Sequence, residues 1–173
     1  MVDRKILFQK SEKIKMLITD IDGVMTDTGV YYSSIGEELK RFSIRDGMGV
    51  ERLRTLVSVK TGIITGENSL IVSRRAEKLG IEELHLGIKN KADILKQICK
   101  KRNLSPEEIA YIGDDTNDID IIKLVGMSAA PNDAMPEVKA IVDFVTENRG
   151  GNGAFRDFCE LIIFMKTNKD IYE

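Results

Sequence analysis

The stretch Lys15-Met-Leu-Ile-Thr-Asp-Ile-Asp-Gly-Val-Met-Thr-Asp27 decides the fold, because a short apolar run ends there in two carboxylates. Residues Met16 to Ile18 are apolar and partly β-branched, as in a buried strand, so Asp20 and Asp22 follow its carboxyl end. Open α/β sheets bind their ligands at that end of the strands. Two neighbouring acids repel each other unless a cation or a shared proton offsets their charge. The simplest such cation is Mg2+, which prefers oxygen ligands, and we expect it as cofactor.

Segments with strand and helix character alternate along the chain, which predicts a parallel central sheet with helices on both faces. From about residue 28 to 43, β-branched and aromatic residues surround a turn and predict a β-hairpin. An isolated hairpin is only marginally stable in water, so we expect it to pack against another subunit. Asp46 is expected to cap the next helix. The length of 173 residues predicts one domain, spanning residues 1–173.

Composition limits the partners and the compartment. The formal net charge of -2 and the dispersed basic residues argue against nucleic acid or a membrane surface as the main partner. No apolar segment approaches the length of a membrane span. The two cysteines, Cys99 and Cys159, lie far apart in apolar helical patterns and are expected to be buried free thiols. That usage predicts a cytoplasmic protein.

Other polar groups follow later strands and are expected to meet the first two acids, because parallel strands end at one edge of the sheet. A carboxylate-bound metal there could neutralise a phosphate, while a lysine and a hydroxyl hold its remaining oxygens. One carboxylate could then attack phosphorus and a second could move protons. Each feature alone has a plainer explanation as a helix cap or a surface residue, so the hypothesis depends on their conjunction. The groups are Thr65 with Gly66, Lys91 at a helix start, and Asp114, Asp115 and Asp118.

These motifs resemble those of the haloacid dehalogenase-like phosphatases. The motif Asp-x-Asp-Gly-x-x-Thr stands complete as Asp20-Ile-Asp-Gly-Val-Met-Thr26. A strand ending in Thr or Ser is matched by Thr65, and a lysine at a helix start by Lys91. Gly-Asp-Asp-x-x-Asp is matched by Gly113-Asp-Asp-Thr-Asn-Asp118, and the four motifs occur in the family's order. The resemblance implies a three-layer Rossmann-like fold and a phosphoric monoester hydrolase.

The resemblance also implies a role for each matched residue. Asp20 would be the nucleophile that forms an aspartyl-phosphate, and Asp22 the general acid and then the base. Asp20, the backbone carbonyl of Asp22 and Asp114 would bind Mg2+. The remaining matches would support that site: Asp115 and Asp118 in or just behind the metal ligands, and Gly23, Thr65, Gly66 and Lys91 around the phosphate.

Only 44 residues separate Asp20 from Thr65, which leaves no room for the separate cap domain of many relatives. The chain looks like the cap-less branch that hydrolyses phosphates of 3-deoxy-2-ulosonic acids, either 3-deoxy-D-manno-octulosonate 8-phosphate or nonulosonate 9-phosphates. Further matches are Arg45-Asp-Gly-Met-Gly49, Arg74-Arg-Ala-Glu-Lys78 and Gly150-Gly-Asn-Gly-Ala-Phe-Arg156. In that branch four subunits associate through their hairpins and close each other's active sites, so a homotetramer is implied.

Glu67 bears on the substrate, because octulosonate 8-phosphate phosphatases usually carry Arg or Lys after Thr-Gly. The combination of Glu67, Arg75 and Lys78 resembles the nonulosonate type, so it slightly favours a nonulosonate 9-phosphate as the substrate. Arg75 and Lys78 could face a substrate carboxylate while Glu67 accepts hydrogen bonds from hydroxyls. Alternatively, Arg75 and Lys78 are an ordinary surface pair at i,i+3 on a helix.

Three other classes share part of the pattern. A receiver domain also has an acidic Mg2+ pocket with Thr and Lys, but its phospho-accepting Asp lies on a later strand than here. A catalytically silent oligomerisation domain, like the appendage of some acylneuraminate cytidylyltransferases, is disfavoured because every catalytic position is intact. A phosphomutase would also form an aspartyl-phosphate, and the missing cap argues against it.

Overall fold

The computed structural model, which describes residues 4–168, places the first strand at the centre of a parallel sheet. The strands of this sheet are β1 (Met16–Thr19), β4 (Lys60–Ile64), β5 (Glu83–His85), β6 (Ile109–Ile112), β7 (Met127–Ala130) and β8 (Phe144–Val145). In β1, Leu17 pairs with Thr61 on one side and with Ala110 on the other. The sheet has the order β5-β4-β1-β6-β7-β8 and all of its pairings are parallel.

Helices cover both faces of the sheet and give three layers. The buried side chains of β1 alternate, since Leu17 packs in one core cluster while Met16 and Ile18 pack in the other. Helices α1 (Arg4–Lys13), α2 (Ile44–Val57), α3 (Leu70–Leu79) and α7 (Ala154–Thr167) contribute to the first cluster. The second cluster takes side chains from α4 (Lys91–Arg102), α5 (Ile119–Ile122) and α6 (Pro136–Lys139). Short 3-10 turns cover Pro106–Glu108 and Thr116–Asp118. Among residues 4–168, no helix combines the length and apolar character that crossing a bilayer requires.

The predicted hairpin is present as a separate antiparallel pair, β2 (Val30–Ser33) and β3 (Gly36–Lys40). Its apolar side chains Tyr31, Tyr32, Ile35 and Leu39 are exposed by 62% or more in the isolated chain. A surface of that kind is typical of a contact with another protein molecule. No separate cap domain stands between the hairpin and α2.

The prediction that Asp46 caps α2 is wrong. Ser43 is the N-cap, and its Oγ accepts hydrogen bonds from the backbone N–H groups of Arg45 (3.1 Å) and Asp46 (3.4 Å). Asp46 is fully buried, and its Oδ1 accepts a bond of 2.9 Å from the N–H of Arg156 in the first turn of α7. Burial raises the pKa of its carboxyl despite these bonds. The side chain therefore joins two helices, because an acid at a helix start can satisfy N–H groups of a neighbouring helix as well as its own.

Glu83, at the start of β5, gives the fold a testable pH dependence. Its carboxylate is buried and accepts hydrogen bonds from Lys101 (3.1 Å) and Arg102 (2.7 Å), with His85 Nε2 2.8 Å away. Burial alone would raise the pKa of Glu83, but these partners outweigh it and lower the pKa from 4.5 to about 2. The stabilisation is therefore present above pH 4.5 and is lost as the pH falls towards 2.

We expect Glu83→Gln to lower the free energy of unfolding by about 3 kcal/mol at pH 7, because unpaired cations remain around it. The difference between the variant and the wild type should shrink steadily below pH 4.5. Urea denaturation at several pH values measures it, with the exposed neighbour Glu82→Gln as control. A loss that does not depend on pH would contradict the ion-pair explanation.

Candidate active site

Asp20 lies directly after β1 and is almost completely buried. The backbone N–H of Ile21 donates to its Oδ1 at 2.7 Å, and Lys91 Nζ lies 2.7 Å from its Oδ2. One oxygen is thus held by a backbone N–H and the other by the ammonium group of a buried lysine. An acid in this setting has a defined orientation, as a nucleophile requires.

Lys91 is the first residue of α4, and the Asn90 side chain caps that helix by accepting from the N–H of Asp93 at 3.2 Å. The side chain of Lys91 is 1% exposed and also lies 2.5 Å from Asp118 Oδ1. Burial lowers the pKa of Lys91, but the charges and hydrogen bonds of Asp20 and Asp118 prevail and raise it. The amine is therefore protonated at neutral pH and joins two acids from different strand ends.

Asp118 is held by more partners than Asp20. Its Oδ2 accepts from the backbone N–H groups of Asp114 (3.0 Å) and Asp115 (3.4 Å), and the Tyr111 hydroxyl donates to its Oδ1 at 2.6 Å. Tyr111 also lies 3.3 Å from Lys91 Nζ and is fully buried. The sequence reading missed Tyr111, because a tyrosine inside a buried strand gives no sign that its hydroxyl meets a charged cluster.

Asp20, Asp114 and Asp118 each offer an oxygen within 4.8 Å of the others, a donor set that suits a hard divalent cation. Desolvation by burial raises the pKa of Asp20 to about 6, with Lys91 opposing and Asp118 adding to the rise. Burial, followed by the charges of Asp20, Asp118 and Asp115, raises the pKa of Asp114 to about 8. Burial and the repulsion between the acids both disfavour the ionised carboxylates, and a bound cation would offset both effects. Since the oxygens of Asp118 already accept several bonds, Asp20 and Asp114 have the better-placed free lone pairs.

Two glycines make room for this cluster. Gly23 has φ +85, and a Cβ there would lie 1.9 Å from Asp114 Oδ2. A Cβ on Gly113 would lie 2.3 Å from Asp118 Oδ2. The absence of side chains lets the backbone after β1 and after β6 approach the acids closely. Gly23 thus has a role beside the acids in addition to the predicted approach to phosphate.

Asp22 is turned towards the hairpin rather than into the acidic cluster. Lys40 Nζ lies 2.5 Å from its Oδ1, and Thr26 Oγ1 donates to the same oxygen at 3.4 Å. Burial lowers the pKa of Lys40, but its contacts with Asp22 and Glu37 outweigh that effect and raise it. The sequence reading missed Lys40, since one lysine at the end of a polar strand resembles a surface residue. Asp115 also points elsewhere, as its Oδ1 accepts from the N–H of Thr116 at 2.6 Å.

A pocket of about 300 Å3 opens in front of these groups. It is lined by Asp20, Asp22, Thr65, Gly66, Glu67, Asp114 and Asp115, together with Lys40 and other hairpin residues. The strand ends therefore converge as predicted, and Glu67 reaches the same pocket.

Arg75 and Lys78 are not brought to this pocket within the chain. They line a different cavity, between α2 and α3. Arg75 Nη2 donates to the carbonyl of Ser43 at 2.8 Å, and its guanidinium lies 5.4 Å from the centre of the Phe42 ring. Arg75 thus ties α3 to the segment before α2, and the predicted cluster of Glu67, Arg75 and Lys78 does not form within one subunit.

The sequence matches a known protein family and proteins of known activity. A family model described as haloacid dehalogenase-like hydrolase matches residues 67–156. The chain is 38% identical over 161 residues to the 3-deoxy-D-manno-octulosonate 8-phosphate phosphatase of Escherichia coli K12, covering 93% of this chain and 85% of that protein.

Solved structures agree over nearly the whole chain. The octulosonate 8-phosphate phosphatase of Moraxella catarrhalis, in complex with a magnesium ion, a phosphate ion and a KDO molecule, superposes with a TM-score of 0.90 at 35% identity. That match covers 96% of this chain and 95% of the other. The cobalt-bound enzyme of Haemophilus influenzae gives a TM-score of 0.89 at 36% identity, covering 95% and 96% of the two chains.

Proposed function

Because the chain belongs to the haloacid dehalogenase-like hydrolases, as an enzyme of their phosphatase branch, we propose that it hydrolyses the phosphate monoester of a 3-deoxy-2-ulosonic acid. The observation that carries this proposal is the orientation of Asp20, whose two oxygens are held by Ile21 N–H and Lys91 at the floor of an open pocket. The intact set of Asp20, Asp22 and Lys91 argues against a silent oligomerisation domain. Membership of a hydrolase family argues against a receiver domain.

In the proposed reaction a carboxylate oxygen of Asp20 forms a bond to phosphorus, and the bond from phosphorus to the sugar oxygen breaks. Asp22 gives its proton to the leaving oxygen. It then takes a proton from the water that attacks the aspartyl-phosphate, so inorganic phosphate leaves and both acids return to their first state. In this proposal Lys91, the Thr65 hydroxyl and Gly66 hold phosphate oxygens during both steps.

Mg2+ is the cofactor that the acidic cluster fits. We assign its ligands to Asp20 and Asp114 with the backbone carbonyl of Asp22, and place Asp118 and Asp115 behind them. When bound, the ion would offset the charge of the acids and of the phosphate. The raised pKa values of Asp20 and Asp114 support this assignment, because those carboxylates are costly to ionise together without a cation.

For the substrate we favour 3-deoxy-D-manno-octulosonate 8-phosphate, since the relatives described above are named for it. Nonulosonate 9-phosphate is the second candidate, because Glu67 lines the pocket where a basic residue is usual in the octulosonate type. The Glu67 carboxylate would accept hydrogen bonds from the hydroxyls of a longer sugar.

A side-by-side measurement of kcat/KM for the two substrates with Mg2+ tests the proposal. We expect the eight-carbon substrate to be preferred by about tenfold or more, and phosphate release to stop in excess chelator and return when Mg2+ is added. Preference for the nine-carbon substrate would overturn our choice in favour of the Glu67 interpretation. Full activity in excess chelator would refute the metal assignment.

We further propose that four subunits associate through their hairpins. Support comes from the exposed apolar side chains Tyr31, Ile35 and Leu39 of the hairpin, and from Val30 and Tyr32, which line the pocket. The free buried thiols, Cys99 and Cys159, fit a cytoplasmic enzyme.

Light scattering tests the assembly. We expect a tetramer for the wild type and smaller species for Leu39→Glu, because a charge in an apolar contact is not compensated. Leu124→Glu, at an exposed leucine far from the hairpin in sequence, is the control. A wild-type monomer at micromolar concentrations would remove the hairpin assembly from the proposal.

A further inference from the structure

Lys40 is the one buried residue of a hairpin whose other strand residues are exposed or half-buried. It ends β3, and its side chain is 1% exposed, whereas Tyr31, Tyr32 and Leu39 of the same hairpin are at least 62% exposed. Its Nζ lies 2.5 Å from Asp22 Oδ1 and 3.4 Å from Glu37 Oε1. An ammonium group is costly to bury unless it is paired, so this position is set by its two acids.

Asp22 has few other restraints. Among the ion pairs within residues 4–168, its one cationic partner is Lys40. Thr26 Oγ1 makes a long contact of 3.4 Å to the oxygen that Lys40 already holds, and Oδ2 accepts no hydrogen bond from the part of the chain that the structure describes. The orientation of this carboxylate therefore depends on a lysine that arrives from the hairpin.

The two acids of the Asp20-Ile-Asp22 motif thus have separate lysine partners from separate elements. Lys91 reaches Asp20 from the start of α4, and Lys40 reaches Asp22 from the end of β3. The first lysine serves the acid that attacks phosphorus. By the same logic, the second serves the acid that carries protons.

We propose that Lys40 is a positioning residue: it holds Oδ1 of Asp22 and leaves Oδ2 to carry the proton that goes to the leaving oxygen, so that the hairpin is part of the acid–base machinery. This inference rests on the proposed function, in which Asp22 protonates the leaving oxygen. General acid catalysis needs donor and acceptor within hydrogen-bond reach, and a carboxylate that swings away loses that geometry. A change in the position of the hairpin should then alter the rate of proton transfer, because it moves Lys40.

The test uses two substrates that differ in their need for a proton. A sugar phosphate releases an alkoxide that must be protonated, whereas p-nitrophenyl phosphate releases a stable phenolate. The value of kcat/KM reports the steps up to phosphoryl transfer. We therefore expect Lys40→Met to lower kcat/KM about 10²-fold for the sugar phosphate and to change it by no more than about threefold for p-nitrophenyl phosphate. Lys60→Met, at an exposed strand lysine outside the pocket, should leave both values unchanged.

Asp22→Asn, measured in parallel, separates failure of this inference from failure of the proposed function. Suppose that Asp22→Asn loses much more activity on the sugar phosphate than on p-nitrophenyl phosphate, but Lys40→Met is inactive or impaired equally on both substrates. The positioning role of Lys40 is then overturned and the acid role of Asp22 stands. If Asp22→Asn lacks that selectivity, the proposed function fails at Asp22. Lys40→Gln, which keeps a polar side chain, replaces Lys40→Met if the latter does not fold, and the same selectivity is required of it.

Discussion

Replacing Asp20 by asparagine is expected to lower kcat by at least about 10⁴-fold at saturating Mg2+, since loss of a nucleophile removes the step it carries. The asparagine amide keeps nearly the same shape but cannot form the acyl phosphate. Phosphate release from the sugar phosphate measures the loss. Asp120→Asn, at an exposed aspartate of α5, is the matched control and should keep wild-type activity.

The same substitution should leave the fold intact and should not lower the melting temperature. Asp20 is buried beside Asp114 and Asp118, and burial with that repulsion raises its pKa to about 6. A group with a raised carboxyl pKa destabilises the native state above that pKa, so the neutral asparagine removes an unfavourable charge at pH 7. Lys91 keeps Asp118 as a partner at 2.5 Å. Inactivity with retained stability would separate chemistry from folding.

Mass spectrometry of acid-quenched enzyme completes this test. Wild-type enzyme mixed with substrate should carry phosphate on the peptide that contains Asp20, and Asp20→Asn should not. Wild-type turnover by the variant, or phosphate found on a different acid, would refute the assignment of the nucleophile.

The convergence of the site could be predicted from the sequence because it follows from topology. Asp20, Thr65 and Asp114 each follow an apolar run, and parallel strands end at one edge whatever the details of packing. Lys91 could be placed for the same reason, at the start of a helix that leaves that edge. The hairpin could be located because a turn separates two β-rich segments.

The partners inside the site could not be predicted, because they depend on contacts between distant parts of the chain. Tyr111 looks like a core residue of β6, and only the structure shows its hydroxyl at Asp118. Lys40 ends a strand that is polar in sequence. Arg75 was predicted to face the substrate, but its guanidinium packs on Phe42 instead. Helical periodicity cannot show which neighbour covers a given face of a helix. Family resemblance supplied roles for the motifs but no information on these contacts.

Lys91→Met is expected to lower both stability and activity, because it leaves two buried carboxylates without their shared cation. Removing one partner of a buried ion pair typically costs about 3–5 kcal/mol of unfolding free energy. The pKa of Lys91 is raised in the native state, so its stabilising effect is fully present at pH 7 and is lost only at strongly alkaline pH. We expect kcat to fall by about 10²-fold or more, since Asp20 loses the amine that orients its Oδ2.

Mg2+ distinguishes this electrostatic account from a general loss of packing. A cation bound by Asp20 and Asp114 would neutralise part of the charge that Lys91 leaves unpaired, so added Mg2+ should raise the melting temperature of Lys91→Met more than that of the wild type. Lys96→Met, on the same helix, removes an exposed ion pair with Asp93 and should change stability by about 0.5 kcal/mol or less, because solvent screens such pairs. Equal Mg2+ stabilisation of wild type and Lys91→Met would show that Lys91 acts through packing, and the charge balance assigned to the cluster would then be wrong.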